Sequence, residues 1–204
     1  MGIISGALSG RQYSVEGDFS HTAIDKHALN IEKYSFKPVN LHAGEIEAFG
    51  WVNPMKILDS EVTTDKISFD EYIVLFMRHD KYSINKKILK AKIDEEIENY
   101  CQKKGKTQIT KDEKKIINSK VQFELLKTLS PSTQIYESAW NPARKTLIFT
   151  NTSERINNVF CEIFFNTFGV TLNPLLPYVK VENWLEKNNI EFNLDKLLPI
   201  EFNK

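Results

Sequence analysis

The chain has 204 residues, with 27 Lys and Arg against 27 Asp and Glu, 41% hydrophobic residues and 2 cysteines. That length fits one large domain or two small lobes with a sizeable core. Cys101 and Cys161 lie far apart, each beside apolar helical positions, which speaks for packed thiols over a disulfide frame or metal site. No apolar run approaches the ~20 residues that a spanning helix needs, and Gly2 to Gly10 lacks the basic flank and apolar core of a secretory signal. Gly6 stands where N-myristoylation wants a hydroxyl residue. A cytoplasmic location is expected.

Ile3 to Glu16 reads as a bent or edge strand, with Ala7, Tyr13 and Val15 among its alternating positions. Asp18 or Ser20 then caps a helix carrying Ile24, Ala28, Ile31 and Tyr34 on one side. His21 and His27 are six residues apart, not the four that align two imidazoles on one helical face, so they read as surface or half-buried histidines, not metal ligands. Glu45 to Val52 alternates as a half-buried strand does, and Asn53-Pro54 ends it.

Two long helical patterns follow. Ser83 to Lys104 places Ile84, Ile88, Leu89, Ile93, Ile97 and Tyr100 mostly at three- and four-residue steps, the pattern of one buried face, and Gly105 stops it. The second opens at Thr110-Lys-Asp-Glu113, a capping box, and continues through Ile116, Ile117, Val121, Leu125 and Leu126. A tight connection between them makes an αα-hairpin with a cationic tip, Lys103-Lys-Gly-Lys-Thr-Gln-Ile109. Because Ile116, Ile117, Val121, Phe123, Leu125, Leu126 and Leu129 cover more than one face, the second helix is expected to be buried on two sides, and a partner chain covering one of them would make a homodimer.

Lys81 to Lys120 holds twelve lysines against six acids, whereas residues 1–80 hold seven basic and twelve acidic side chains and residues 121–204 eight and nine. A neutral total therefore hides a cationic arm on an acidic body, a distribution that suits a polyanion because each phosphate neutralised releases counterions. The candidate phosphate contacts are Lys86, Lys87, Lys90, Lys92, Lys103, Lys104, Lys106, Lys111, Lys114 and Lys115, with Arg78, Lys120, Arg144 and Lys145 as outer candidates. An ordinary solvated helix face would also carry many Lys and Glu, so charge by itself leaves both readings open.

Beyond Pro131, strands from Ser132 to Trp140 and Lys145 to Thr150 flank the turn Asn141-Pro-Ala-Arg144 and form a β-hairpin. Asn151 or Thr152 caps a helix in which Ile156, Val159, Phe160, Ile163, Phe164 and Phe168 follow the 3.6 period, with Gly169 at its C-cap. Val170 to Leu176 is an extended exit segment, and Val181 to Leu185 begins a helical tail.

The run Phe49-Gly-Trp-Val-Asn-Pro-Met55 after a β-α opening resembles the Gly-Trp-Val-x-Pro-Met signature of the RdgC family of bacterial recombination-associated proteins. The order downstream is similar too: a strand from Glu71 to Arg78, a long helix with Ile88-Leu-Lys-Ala-Lys-Ile93, a Lys-rich joint, a helix opening in Lys111-Asp-Glu-Lys-Lys, then Leu125-Leu-Lys-Thr-Leu-Ser-Pro131. The resemblance runs from about Ile3 to Leu185. It implies duplex DNA binding with little sequence preference, nucleoid association, and restriction of RecA access during recombination. Family chains continue beyond the point matching Lys204, in a part that helps close a ring-shaped dimer, and they tend to place a basic residue where this chain has Pro131-Ser132-Thr133.

RdgC-like chains are sometimes labelled exonucleases. A two-metal nuclease needs several converging carboxylates. The local candidates, Asp65, Asp70 and Glu71 near one strand and Asp112 in a helix start, are explained by loop and capping roles, so no catalytic, metal or cofactor residue is assigned. No phosphate-binding Gly loop, nucleophile elbow or His-Glu-x-x-His is present, and no small-molecule substrate is indicated.

The expectation is an α+β protein of antiparallel β-sheets packed with helices, with a protruding basic αα-hairpin. Its parts would be an N-terminal β-α-β-β lobe (1–80), the hairpin arm (81–130), a β-hairpin plus amphipathic-helix lobe (131–180) and a short tail (181–204). The expected function is RdgC-like binding of double-stranded DNA. The alternatives are a metal-dependent exonuclease or a truncated interaction module that has lost ring closure.

Overall fold

Alternating apolar residues along the predicted strands and 3.6-spaced ones along the predicted helices give an α+β fold of antiparallel strands and helices. A computed structural model describes residues 9–191. The chain divides into two compact units that interleave in sequence, the first formed by Met1–Ile31, Thr64–Leu75 and Glu137–Lys204, the second by Glu32–Thr63 and Phe76–Tyr136.

In the first unit, β1 (Arg11–Glu16) lies between β6 (Thr146–Phe149) and β7 (Thr171–Pro174), all antiparallel, with Tyr13 opposite Leu147 and Val15 opposite Leu172. Tyr13 and Val15 point into the core as their alternation predicts. The strand is shorter than expected: Ser9 and Gly10 precede it, and the expected portion at residues 3–8 lies outside the described residues. The end of β5 (Ser132–Asn141) pairs with β6, Trp140 opposite Leu147, and the short β3 (Ser68–Phe69) pairs with the start of β4 (Tyr72–Lys81).

Helix α5 (Glu154–Phe168) buries Ile156, Phe160, Phe164 and Phe168, as its period requires. Phe160 stacks on Phe149 at 3.9 Å between ring centroids, and Phe164 meets Trp140 edge-on at 5.0 Å. Gly169 closes the helix in the left-handed conformation at φ 72. The N-cap is Ser153 and not Asn151 or Thr152, because the Asn151 side chain accepts from the Ser153 N–H at 2.7 Å and turns the chain one step earlier.

The helix expected after Ser20 is a 3₁₀ segment, His21–His27, continued by α1 (Ala28–Lys33). Three residues per turn bring Ile24 and His27 into line, so His27 packs on Phe19 and Phe168 and its Nδ1 lies 3.2 Å from the Thr167 carbonyl. Ala28, expected on the inner face, is exposed for the same reason. A one-turn α2 (Thr64–Ile67) buries Ile67, and α6 (Pro177–Lys187), opened by its N-terminal proline, buries Leu185. The tail expected beyond residue 191 lies outside the described residues.

In the second unit, β2 (Glu47–Val52) pairs with the far half of β4, Phe49 opposite His79 and Trp51 opposite Met77. On the other edge of β2 the Trp51 N–H donates to the Tyr34 carbonyl at 2.9 Å, and the Phe36 N–H donates to the Trp51 carbonyl at 2.8 Å. Gly50 is required there, since a Cβ would run into the backbone N and Cα of Phe36. Asn53 locks the end of the strand: its Oδ1 accepts from the Met55 N–H at 2.9 Å and its Nδ2 donates to Asp59 at 3.0 Å. The Phe49–Met55 run is thus a buried strand end followed by a fixed turn.

Helices α3 (Lys86–Lys104) and α4 (Lys111–Thr128), joined by residues 105–110, pack on each other. Helix α3 starts at Lys86 and not Ser83, because Asn85 is the cap, accepting from the Lys87 and Ile88 N–H groups at 2.9 and 3.4 Å. It has no fully buried residue. Ile88 is 54% exposed, while Leu89, Ile93, Ile97 and Tyr100 are half-buried, which corrects the expected buried face.

Ile117, Val121 and Leu126 of α4 are buried, but Ile116 is 69% and Leu129 40% exposed. The turn Leu41–Ala43 covers a further side of α4, with His42 edge-on to Phe123 at 5.1 Å. Two sides of α4 are thus covered within this chain, while Ile116 and Leu129 stay exposed.

Candidate nucleic-acid interface

Every one of the ten candidate lysines lies on the hairpin. Lys86, Lys87, Lys90, Lys92, Lys103 and Lys104 are on α3, Lys106 is in the connecting loop, and Lys111, Lys114 and Lys115 are on α4. All ten are exposed. Lys92 pairs with Glu95 and Lys106 with Glu113, each at 2.8 Å, whereas the other eight form no ion pair among the described residues.

Glu113 organises the tip. As N3 of the capping box it accepts from the Thr110 N–H at 2.8 Å, while the Lys106 Nζ and the Tyr100 hydroxyl both donate to its Oε1 at 2.8 Å. The ammonium of Lys106 first, then the Thr110 N–H and the Tyr100 hydroxyl, pull the Glu113 carboxyl down to a pKa of about 2. The same contacts push Lys106 and Tyr100 above their usual values. The capping box is visible in the sequence, but the closing of Tyr100 and Lys106 onto Glu113 is not, because it depends on the loop bringing α3 back over the start of α4.

The outer candidates fare differently. Arg78 holds Asp80 with two hydrogen bonds of 2.8 and 2.6 Å, and its guanidinium lies 4.3 Å from the Phe36 ring centroid, so it is occupied in the core of the second unit. Burial pushes Asp80 upward, but the Arg78 and Thr133 hydrogen bonds outweigh it and hold the carboxyl below its ordinary range. Lys120 pairs with Glu96 at 2.8 Å, and Arg144 stands 4.0 Å from Glu71. Lys145 is exposed in the β5–β6 turn at φ 51. Between α3 and α4 runs a groove of about 480 Å³ whose floor is Val121 and Leu125 and whose rim carries Glu95, Glu96, Asn99 and Lys120.

Of the acids considered for a nuclease, Asp65 is in the first turn of α2, Asp70 occupies the β3–β4 turn at φ 53, and Asp112 is in the first turn of α4. Among the described residues no group of three His, Cys, Asp or Glu is placed to hold a metal ion, and no helix is long and apolar enough to cross a membrane. No protein-family model matches the chain, and no curated protein matches it.

Proposed function

We propose that this protein binds double-stranded DNA with little sequence preference through the lysines of the α3–α4 hairpin. The observation that carries the reading is the state of those side chains: apart from Lys92 and Lys106, the candidate lysines are exposed and form no ion pair among the described residues. Ammonium groups with no ion pair among the described residues approach a phosphate without first breaking one of those, and phosphate contacts position a protein without reading bases. The resemblance of Phe49–Met55 and the elements after it to RdgC proteins extends this to a cytoplasmic, nucleoid-associated protein that pairs with a second copy and limits access of RecA to DNA.

Fluorescence anisotropy on two duplexes of unrelated sequence, across a salt series, tests it. Equal affinities and a steep fall of log K with log salt are expected, with slope about −0.9 per phosphate contact. No binding at ~0.1 M salt would end the DNA reading. A RecA filament-assembly assay on the same duplex checks the extension.

A further inference from the structure

We propose that the hairpin is a bipartite phosphate clamp, in which a base cluster and a tip cluster grip one duplex on either side of an acidic waist. This rests on the duplex-binding reading above and concerns how the hairpin engages its partner. The charge along α3 comes in three blocks: Lys86, Lys87, Lys90 and Lys92, then Asp94, Glu95, Glu96 and Glu98, then Lys103 and Lys104. At the tip, Lys111, Lys114 and Lys115 from the start of α4 join the third block. At the waist, Lys120 is taken up by Glu96 and Lys92 by Glu95, so the cations nearest the middle are neutralised.

Two features make the ends, not the whole length, the contact points. Lys87, Asp94 and Glu98 are seven and then four residues apart, which puts them on one face of the helix, and all three are exposed. Lys86 and Lys104, eighteen residues and five full turns apart, stand on one line beside that face, so a duplex lying there meets lysine, then carboxylate, then lysine. Lys86 and Lys87 also occupy the first turn of α3, which contains no acid, so cations are kept at the positive end of the helix dipole against its local preference. From Lys86 to Lys104 the rise is about 27 Å at 1.5 Å per residue. That is longer than a duplex of six base pairs, at roughly 20 Å.

The experiment compares a 24-base-pair duplex with a loop-closed duplex of six base pairs, on the full chain, by anisotropy across a salt series. On the long duplex, K86Q/K87Q/K90Q and K103Q/K104Q/K115Q should each lower the salt slope by about 0.9 for every lysine that touched a phosphate, and the two losses should add. The short duplex should give wild type a shallower slope, close to that of a single cluster. D94N/E98Q, which removes waist charge at exposed positions, should tighten the long duplex and leave the short one unchanged. Circular dichroism confirms that each variant is folded.

Equal slopes for long and short duplexes, a base triple that changes nothing, or a waist variant that fails to tighten the long duplex would each overturn the clamp while leaving duplex binding intact. Wild type that binds neither duplex would instead defeat the underlying reading, and the clamp with it.

Discussion

The Nζ of Lys106 lies 2.8 Å from Oε1 of Glu113, so the lysine at the turn of the hairpin is held by the same carboxylate that caps α4. This separates it from its neighbours Lys103 and Lys104, which form no ion pair among the described residues. Replacing Lys106 by Gln should leave the salt slope of duplex binding nearly unchanged, whereas K103Q/K104Q should reduce it by up to about two units. A Lys106→Gln slope loss as large as that of the double variant would show that the ion pair opens readily to DNA.

The same carboxylate sets a pH dependence. Its folded pKa is depressed to about 2 from an ordinary 4.5, so its contribution to stability is fully present above the ordinary value and is lost as pH falls from there towards 2. Urea midpoints measured between pH 5 and about pH 2 should fall less steeply for Glu113→Gln than for wild type, and the difference should shrink in high salt because the cluster is at the surface. Parallel acid limbs would mean that the contacts around Glu113 add nothing to folding.

Gly50 faces the backbone of Phe36 with no space for a side chain. Gly50→Ala should destabilise the second unit by about 2 kcal/mol or more, since backbone must give way and not a flexible side-chain end. Thermal melts followed by circular dichroism check this, and an unchanged melting temperature would show that the Tyr34–Phe36 segment shifts at no cost.

Asp65, Asp70 and Glu71 remain the acids on which a nuclease would depend. For a binding protein, D65N/D70N/E71Q should keep duplex affinity, and purified wild type with Mg²⁺ or Mn²⁺ should leave linear duplex intact on a gel. Digestion by wild type that disappears in the triple variant would replace the binding reading with an enzymatic one.

What the sequence made legible was what depends on near neighbours. Gly105 as a C-cap, the Thr110–Glu113 box, the period of α5 and the turn between β5 and β6 all follow from residues within a few positions of each other. The exposure of Ile88 was not legible, because apolar spacing along α3 does not say how much of its face a single partner helix covers. Nor were the contacts that join distant residues: the Tyr13 hydroxyl donates to Asn157 across 144 positions, and Thr133 donates to Asp80 across 53. Arg78 stood among the outer phosphate candidates. Its partner Asp80 is only two residues away, but the aromatic face of Phe36 that completes its site is far off in sequence. For the candidate interface, the lysine positions could be read directly, while their division into those with and without an ion pair among the described residues could not.

The strip of backbone from Tyr34 to Phe36 along β2 has a bearing on the chain's life among other chains. A strand at the end of a sheet exposes a row of N–H and C=O groups that can template a strand from another molecule. Here the Trp51 N–H and C=O on that edge are already occupied by Tyr34 and Phe36. The backbone of Phe36 comes this close only because Gly50 has no side chain. One glycine thus lets the chain close this edge on itself at Trp51, so that the residue with the largest ring in β2 offers no unpaired backbone group to a strand of another copy.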